Sequence, residues 1–286
     1  MKLRVAVAQV DAAVGNVEKN IVRHVAFVKK AIAKKADIVV FPELSLTGYS
    51  VRDLNWDLAI NVARPDILNP LLRLSKSITV IAGGVEERKN FGLYNSAFVM
   101  EDGKIFSGHQ KIYPPTYGMF EEMRYFSQGT SARCFNSKHG RLGILICEDL
   151  WHISLPYILA SDGAEVLITI AASPTRISGA SEKLPSATIN SEHHKAYARL
   201  LSSYLVFCNR VGIEDGINFW GGSEIVDPSG EIIASAKLFD EDLIFADLDE
   251  DAVRRARRLS RHFVDESIDF TVEQLRRVRD SRKEQE

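Results

Sequence analysis

Short apolar runs alternate with longer amphipathic stretches along most of the chain. Residues 3–10 (LRVAVAQV) alternate in part and are rich in Val, which predicts a strand. Between 16 and 35, Val17, Ile21, His24, Val25, Val28 and Ile32 share one face while Lys and Arg lie elsewhere, which predicts an amphipathic helix. Ile38-Val39-Val40-Phe41 is a near-continuous apolar run, the pattern of a strand covered on both faces. Similar runs at 78–83, 94–100, 142–147, 166–171 and 205–208 predict further strands, with helical patterns near 67–75, 154–161 and 191–202. Asp102-Gly103 and Pro228-Ser229-Gly230 each separate two short strand-like runs and predict hairpins. Antiparallel pairs mixed with β-α repeats make this an α/β chain, but not one with a purely parallel, doubly wound sheet.

Composition narrows the class. With 36 Lys and Arg against 38 Asp and Glu in 286 residues, the formal net charge is −2. That balance disfavours a chain that coats nucleic acid or an anionic membrane. Cys134, Cys147 and Cys208 are odd in number and far apart, so no disulfide framework is expected. The apolar run at the N-terminus is too short for a secretory signal, and no stretch approaches the roughly 18 apolar residues of a membrane span. A cytoplasmic location is the expectation. His152, His193 and His194 have no metal-ligand spacing, so no metal is expected, and neither Gly83-Gly84 nor Gly221-Gly222 fits a dinucleotide loop. From about 249 the chain becomes charge-rich. The expected division is a main domain over 1–250 and a charged helical extension over 251–286. Val264, Ile268, Phe270 and Leu275 give that extension apolar positions with which to reach a partner subunit. Arg254, Arg255, Arg257 and Arg258 are flanked by acids and predict a solvated helix rather than a nucleic-acid patch.

Three segments place a reactive side chain just past an apolar strand: Glu43 in FPELSLTGY, Lys111 in HQKIYPPTYGMFEEMRYF and Cys147 in GILICEDLW. In open α/β sheets functional groups gather outside the carboxyl ends of the strands. An acid, an amine and a thiol meeting there form an inventory for nucleophilic catalysis. A free thiol is mostly protonated at neutral pH, so a neighbouring ammonium or a carboxylate base must activate it. Attack on a carboxamide builds negative charge on oxygen, which a fixed lysine and a backbone N–H can hold. The acid then hands a proton to the leaving amine and takes one from water. Tyr49, Tyr117, Trp151 and Trp220 are aromatic candidates for the pocket wall.

Together these three motifs resemble the nitrilase superfamily of carbon–nitrogen hydrolases, which use a Glu-Lys-Cys triad. NRVG at 209–212, FWGGS at 219–223 and DPSG at 227–230 are similar to later segments of that family, so the resemblance spans about 3 to 250 in the expected order. It implies a four-layer α-β-β-α sandwich of the nitrilase type, pairing across a helical face into a homodimer or higher even oligomer. It implies Glu43 as general base, Lys111 as oxyanion stabiliser, Cys147 as nucleophile and Glu122 as the second glutamate that holds the lysine. Within the superfamily, CEDLW and TYGMFEEMRYF are most similar to the glutamine-hydrolysing domain of glutamine-dependent NAD synthetase. The stretch 173–180 lacks the Gly-Lys and following Arg expected where such a domain holds the glutamine head group, and Arg176 or Lys183 would have to substitute. The resulting expectation is a free-standing, cofactor-free amidase acting on a small linear carboxamide, with Tyr49, Tyr117, Glu148, Trp151, Ser173 and Arg176 around the substrate. The alternatives are a glutaminase that supplies ammonia to a separate synthetase subunit, an N-carbamoyl amine hydrolase, a nitrile hydrolase, or an idle scaffold of the same fold.

Overall fold

The computed structural model describes residues 2–89, 91–175 and 184–283. The chain opens with β1 (Lys2–Gln9), α1 (Val17–Ala33) and β2 (Ile38–Val40). Asn16 caps α1 by accepting from the Lys19 amide. A short helix α2 (Asn55–Leu58), the two-residue strand β3 (Ile60–Asn61) and α3 (Asn69–Leu74) lead into the meander β4 (Thr79–Glu87), β5 (Leu93–Glu101) and β6 (Lys104–Gln110). After α4 (Glu122–Tyr125) come β7 (Phe135–Ser137), β8 (Gly140–Ile146), α5 (Ser154–Ser161), β9 (Val166–Ala171) and β10 (Pro174–Thr175). Then follow α6 (Pro185–Leu201), β11 (Tyr204–Asn209), β12 (Val211–Glu214), β13 (Ile217–Trp220), β14 (Glu224–Val226), β15 (Ile232–Ser235) and β16 (Asp242–Asp249). Helices α7 (Glu250–Leu259) and α8 (Ile268–Lys283) end the described chain. Helix α6 begins well before the apolar periodicity at 191. Its first turns are polar and carry Pro185 at the start, where a missing N–H costs nothing.

Two sheets dominate. One has the order β16-β1-β2-β4-β5-β6 with β3 beside β4, the other β15-β14-β11-β9-β8-β7. Each has three parallel central strands, β1-β2-β4 and β8-β9-β11, flanked by antiparallel ones. Side chains alternate across each strand, and both faces are covered, which explains the near-continuous apolar runs. Val5, Val7, Ile38 and Val40 meet Ile144, Ile146, Ile168 and Val206 between the sheets. Ala6, Ala8 and Val39 face Ile21, Val28 and Leu71 of the helices outside the first sheet. Leu145, Leu167 and Leu205 face Leu155, Leu159 and Ala198 outside the second. The result is a four-layer α-β-β-α sandwich. Cys208 is sealed between the sheets, its thiol directed at the Val40 carbonyl 3.4 Å away, and Cys134 is half-buried against the Leu159 carbonyl. Among the described residues no helix is long and apolar enough to cross a membrane.

A third, small sheet, β10-β13-β12, packs at one end of the sandwich. Arg210, fully buried, anchors it through ion pairs with Glu214 and Asp11 and lies 4.3 Å over the Phe219 ring. The C-terminal helix α8 buries none of its residues, and Ile268, Phe270 and Leu275 are exposed on this single chain.

Candidate active site

The turn after β2 delivers Glu43. Leu44, next to it, sits in the left-handed region at φ +48°, a conformation that a non-glycine residue adopts only under constraint from its surroundings. Gly83 in β4 supplies that constraint: a Cβ there would stand 2.4 Å from the Leu44 amide nitrogen and 2.7 Å from Glu43 Cα, so only glycine lets the turn close. Cys147 ends β8 in a similar way, at φ +47°, and opens a 3-10 turn over 147–151. Lys111 follows β6, and Glu122 begins α4. All four leave the same edge of the sandwich.

Lys111 Nζ lies 2.8 Å from Glu43 Oε1 and 2.7 Å from Glu122 Oε1, with all three groups buried. Asn95, on β5, donates through Nδ2 to Glu43 Oε1 at 2.7 Å and to Glu122 Oε2 at 3.3 Å. The Ala172 amide donates to Glu43 Oε2 at 2.7 Å and the Tyr49 hydroxyl to Glu122 Oε1 at 2.6 Å. Edge-on contact with Phe219 of the small sheet holds the Tyr49 ring, centroids 5.9 Å apart. Two of the three Lys111 ammonium protons are thereby taken, which leaves the third for an oxygen of a bound molecule.

Charge in this site is set by burial and by these neighbours. Burial alone would push the Lys111 ammonium down, but Glu122 and Glu43 more than reverse it and hold it well above its ordinary value. Burial raises Glu122, with Lys111 opposing and Glu43 reinforcing the rise. Tyr49 is also raised, by burial and then by Glu122 and Glu43, so its hydroxyl remains a donor. Burial pushes the Cys147 thiol well up, Glu43 adds to the rise, and Lys111 opposes it without prevailing. Lys111 does favour the thiolate, as expected from sequence, but burial and Glu43 outweigh it, so a carboxylate base must take the thiol proton during attack.

Asp149 ties the lysine segment to the cysteine turn. Its Oδ1 accepts from the Ile112 and Tyr113 amides, both at 3.0 Å, and its Oδ2 lies 3.1 Å from the Ile146 amide and 2.9 Å from His109 Nε2. Neither Asp149, His109, Asn95 nor the Ala172 amide was assigned a role from sequence. The signal for Asn95 was a polar pair, Asn95-Ser96, inside an otherwise apolar strand. Asp149→Asn can satisfy the two amides at Oδ1 but presents an NH2 to the Ile146 amide. A loss of about 2–3 kcal/mol is expected from the unmatched buried donor, read as a lower denaturant midpoint with slower turnover. An unchanged midpoint would mean that this carboxylate does not join the two segments.

The residues expected around a substrate divide. Tyr49 reaches the site through Glu122, and the exposed Tyr117 donates its hydroxyl to Glu148 Oε2 at 2.9 Å, beside the nucleophile. Ser173 follows Ala172, its amide donating to Asn209 Oδ1 and its hydroxyl accepting from Trp220 Nε1 at 3.1 Å. Trp151 is half exposed with its ring edge-on to His193 on α6, and Trp220 is buried. Arg176 and Lys183 lie outside the described residues. His152 stacks on Tyr113 and His194 bonds Glu224 at 2.7 Å, so the three histidines have separate partners.

An α-β-β-α sandwich with a buried acid, amine and half-buried thiol at one strand edge defines a nitrilase-type protein. The sequence pattern of the carbon-nitrogen hydrolase family matches residues 4–258, and the chain belongs to this family. It is 32% identical over 246 residues to glutamine-dependent NAD(+) synthetase of Acinetobacter baylyi, covering 86% of this chain and 44% of that one. To the synthetase of the same name from Thermotoga maritima it is 32% identical over 255 residues, covering 87% and 42%. The chain thus spans less than half the length of these relatives. Among solved structures it is similar to a carbon-nitrogen hydrolase of Helicobacter pylori G27, with a TM-score of 0.86, 27% identity and coverage of 96% of this chain and 99% of that one.

Proposed function

We propose that this carbon-nitrogen hydrolase is an amidase that cleaves a small linear carboxamide to its acid and ammonia through a thioester on Cys147. The observation that carries the reading is the Lys111 ammonium clamped between two buried carboxylates, 2.8 Å from Glu43 and 2.7 Å from Glu122, with Cys147 in their field. Glu43 takes the thiol proton as the sulfur–carbon bond forms. The unused Lys111 proton and the Glu148 amide hold the oxyanion. Glu43 returns the proton to nitrogen as the carbon–nitrogen bond breaks and ammonia leaves. Water then attacks the thioester, Glu43 accepts its proton, the carbon–sulfur bond breaks, and the proton returns to sulfur. Glu122, bonded to Tyr49 and Asn95, keeps the lysine in place.

The relatives favour one particular amide. Glutamine-dependent NAD(+) synthetases match 86% of the chain, so a second reading makes glutamine the substrate and a separate synthetase the recipient of the ammonia. Ammonia release across a panel of glutamine, aliphatic carboxamides, ureido compounds and nitriles separates the two, with intact mass to catch an acyl adduct on Cys147. Turnover of several simple carboxamides above glutamine supports the general amidase; glutamine alone supports the second reading. No ammonia and no adduct from any member would overturn both.

A further inference from the structure

Helix α1 buries two polar side chains among its apolar ones, Asn20 and His24, which lie one turn apart on the same face. The sequence pattern counts His24 with the apolar positions of that face. In the structure both of its ring nitrogens have partners. Nδ1 lies 2.7 Å from the Asn20 carbonyl oxygen, which can only accept, so Nδ1 carries the ring proton. Nε2 is then a bare acceptor, 3.0 Å from the Ser45 hydroxyl, which donates to it. Burial lowers the His24 pKa to about 4; the Asn20 carbonyl opposes this and Arg23 adds to it. The ring is therefore neutral near pH 7, and its tautomer is fixed.

These contacts fall on both sides of Glu43. The His24 ring stacks on Phe41, two residues before it, with centroids 4.1 Å apart and planes at 30°. Ser45 lies two residues after it. Asn20 Nδ2 donates to the Leu46 carbonyl at 3.0 Å and to the Ala13 carbonyl at 2.8 Å, while its Oδ1 accepts from the Ala13 amide at 2.8 Å. Leu44, inside this bracket, has the left-handed backbone that persists only where its surroundings over-determine it. Asn95, Lys111 and the Ala172 amide grip the Glu43 carboxylate, whereas α1 holds the backbone from which it extends. An apolar filler could pack on Phe41 equally well, but only an imidazole acceptor also fixes the Ser45 hydroxyl. A base must stay within reach of the proton it takes, and a shift of about 1 Å can cost about 100-fold in rate.

We infer that His24 is a positioning residue for Glu43, acting through Phe41 and Ser45. The inference rests on the amidase reading, in which Glu43 serves as base in both acylation and deacylation. Both steps slow together when Glu43 is misplaced, so kcat falls and KM moves little. The test is steady-state ammonia release by the full chain, with the carboxamide of the panel that it turns over fastest. His24→Phe keeps a ring against Phe41 but offers no acceptor, and Ser45→Ala removes only the hydroxyl. Each is expected to lower kcat about tenfold while KM stays within about twofold. The double variant should lose no more than the worse single one, because both changes remove the same bond. Ala31→Gly weakens the same helix further along and should leave kcat within about twofold, which separates positioning from stability. Should His24→Phe fail to fold, Ser45→Ala carries the test. Single variants near the wild-type kcat, additive losses in the double variant, or an equal loss in Ala31→Gly would overturn the positioning role. A wild type silent on every carboxamide would instead remove the amidase reading, and this role with it.

Discussion

Cys147→Ala is expected to lower amide turnover by at least about 10⁴-fold, with the melting temperature and oligomeric state retained. The effect is this large because the sulfur forms the covalent bond, and no other described thiol can replace it: Cys208 is sealed between the sheets and Cys134 lies against Leu159. Folding should tolerate the change because Cys147 is half-buried at the end of β8. The Ile146 amide just before it is held by Asp149, a bond that does not involve the thiol. Ammonia release by the purified variant, followed with the best substrate of the panel, is the measurement. Turnover near the wild-type rate would end the thioester mechanism. Since the thiol needs a base to take its proton, Glu43→Gln should be similarly silent in turnover, its single amide oxygen keeping either the Asn95 donor or the Ala172 donor but not both.

Lys111→Met should damage both stability and activity. Two buried carboxylates lose the ammonium between them, and breaking one partner out of a buried ion pair costs about 3–5 kcal/mol. The loss depends on pH with a definite sign. Glu122 is already raised by burial with the lysine present; without it, one of the two acids must hold a proton in the folded state. A carboxyl whose folded pKa exceeds its unfolded value, near 4.3 for a free Glu, contributes stability below that value and loses it as pH rises through the folded pKa. Between pH 5 and 8 the variant's melting temperature should therefore fall more steeply than that of the wild type. Lys111→Met combined with Glu122→Gln should recover much of the stability, because one charge is gone, but none of the turnover, because the oxyanion still lacks its donor. Equal melting profiles for the wild type and the single variant would show that the lysine does not hold these carboxylates together.

Much of this site can be read along the chain, for a local reason. The apolar run that becomes β2 ends three residues before Glu43, and the one that becomes β8 ends directly at Cys147, so each reactive group sits where its strand turns. Glu122 is distinguished from the exposed Glu121 beside it only by the structure, where it is buried at the start of α4. Asn95 is different. Its partners Glu43 and Glu122 are 52 and 27 positions away in sequence, and only the pairing of β4 with β5 brings it to them. Asp149 bonds His109 across 40 positions, and no periodicity encodes such a contact. The protonation of Cys147 also lay beyond the sequence, since it is the outcome of burial and Glu43 set against Lys111. Arg257 differs from its neighbours in α7 only in what the fold placed over it.

The short elements and the edge strand β16 were not legible in the amino-acid order, which by itself determined the central strands, the longer helices, the two-sided burial of the central sheets and the identity of the acid, amine and thiol. Each of these follows from side-chain periodicity and from chemistry carried within a few residues. Tertiary packing decided the rest: which carboxylate touches which oxygen partner, which groups keep their protons, and which arginine lost its water. Those outcomes depend on distances between segments far apart in the chain, and on how completely the surrounding layers exclude solvent from them.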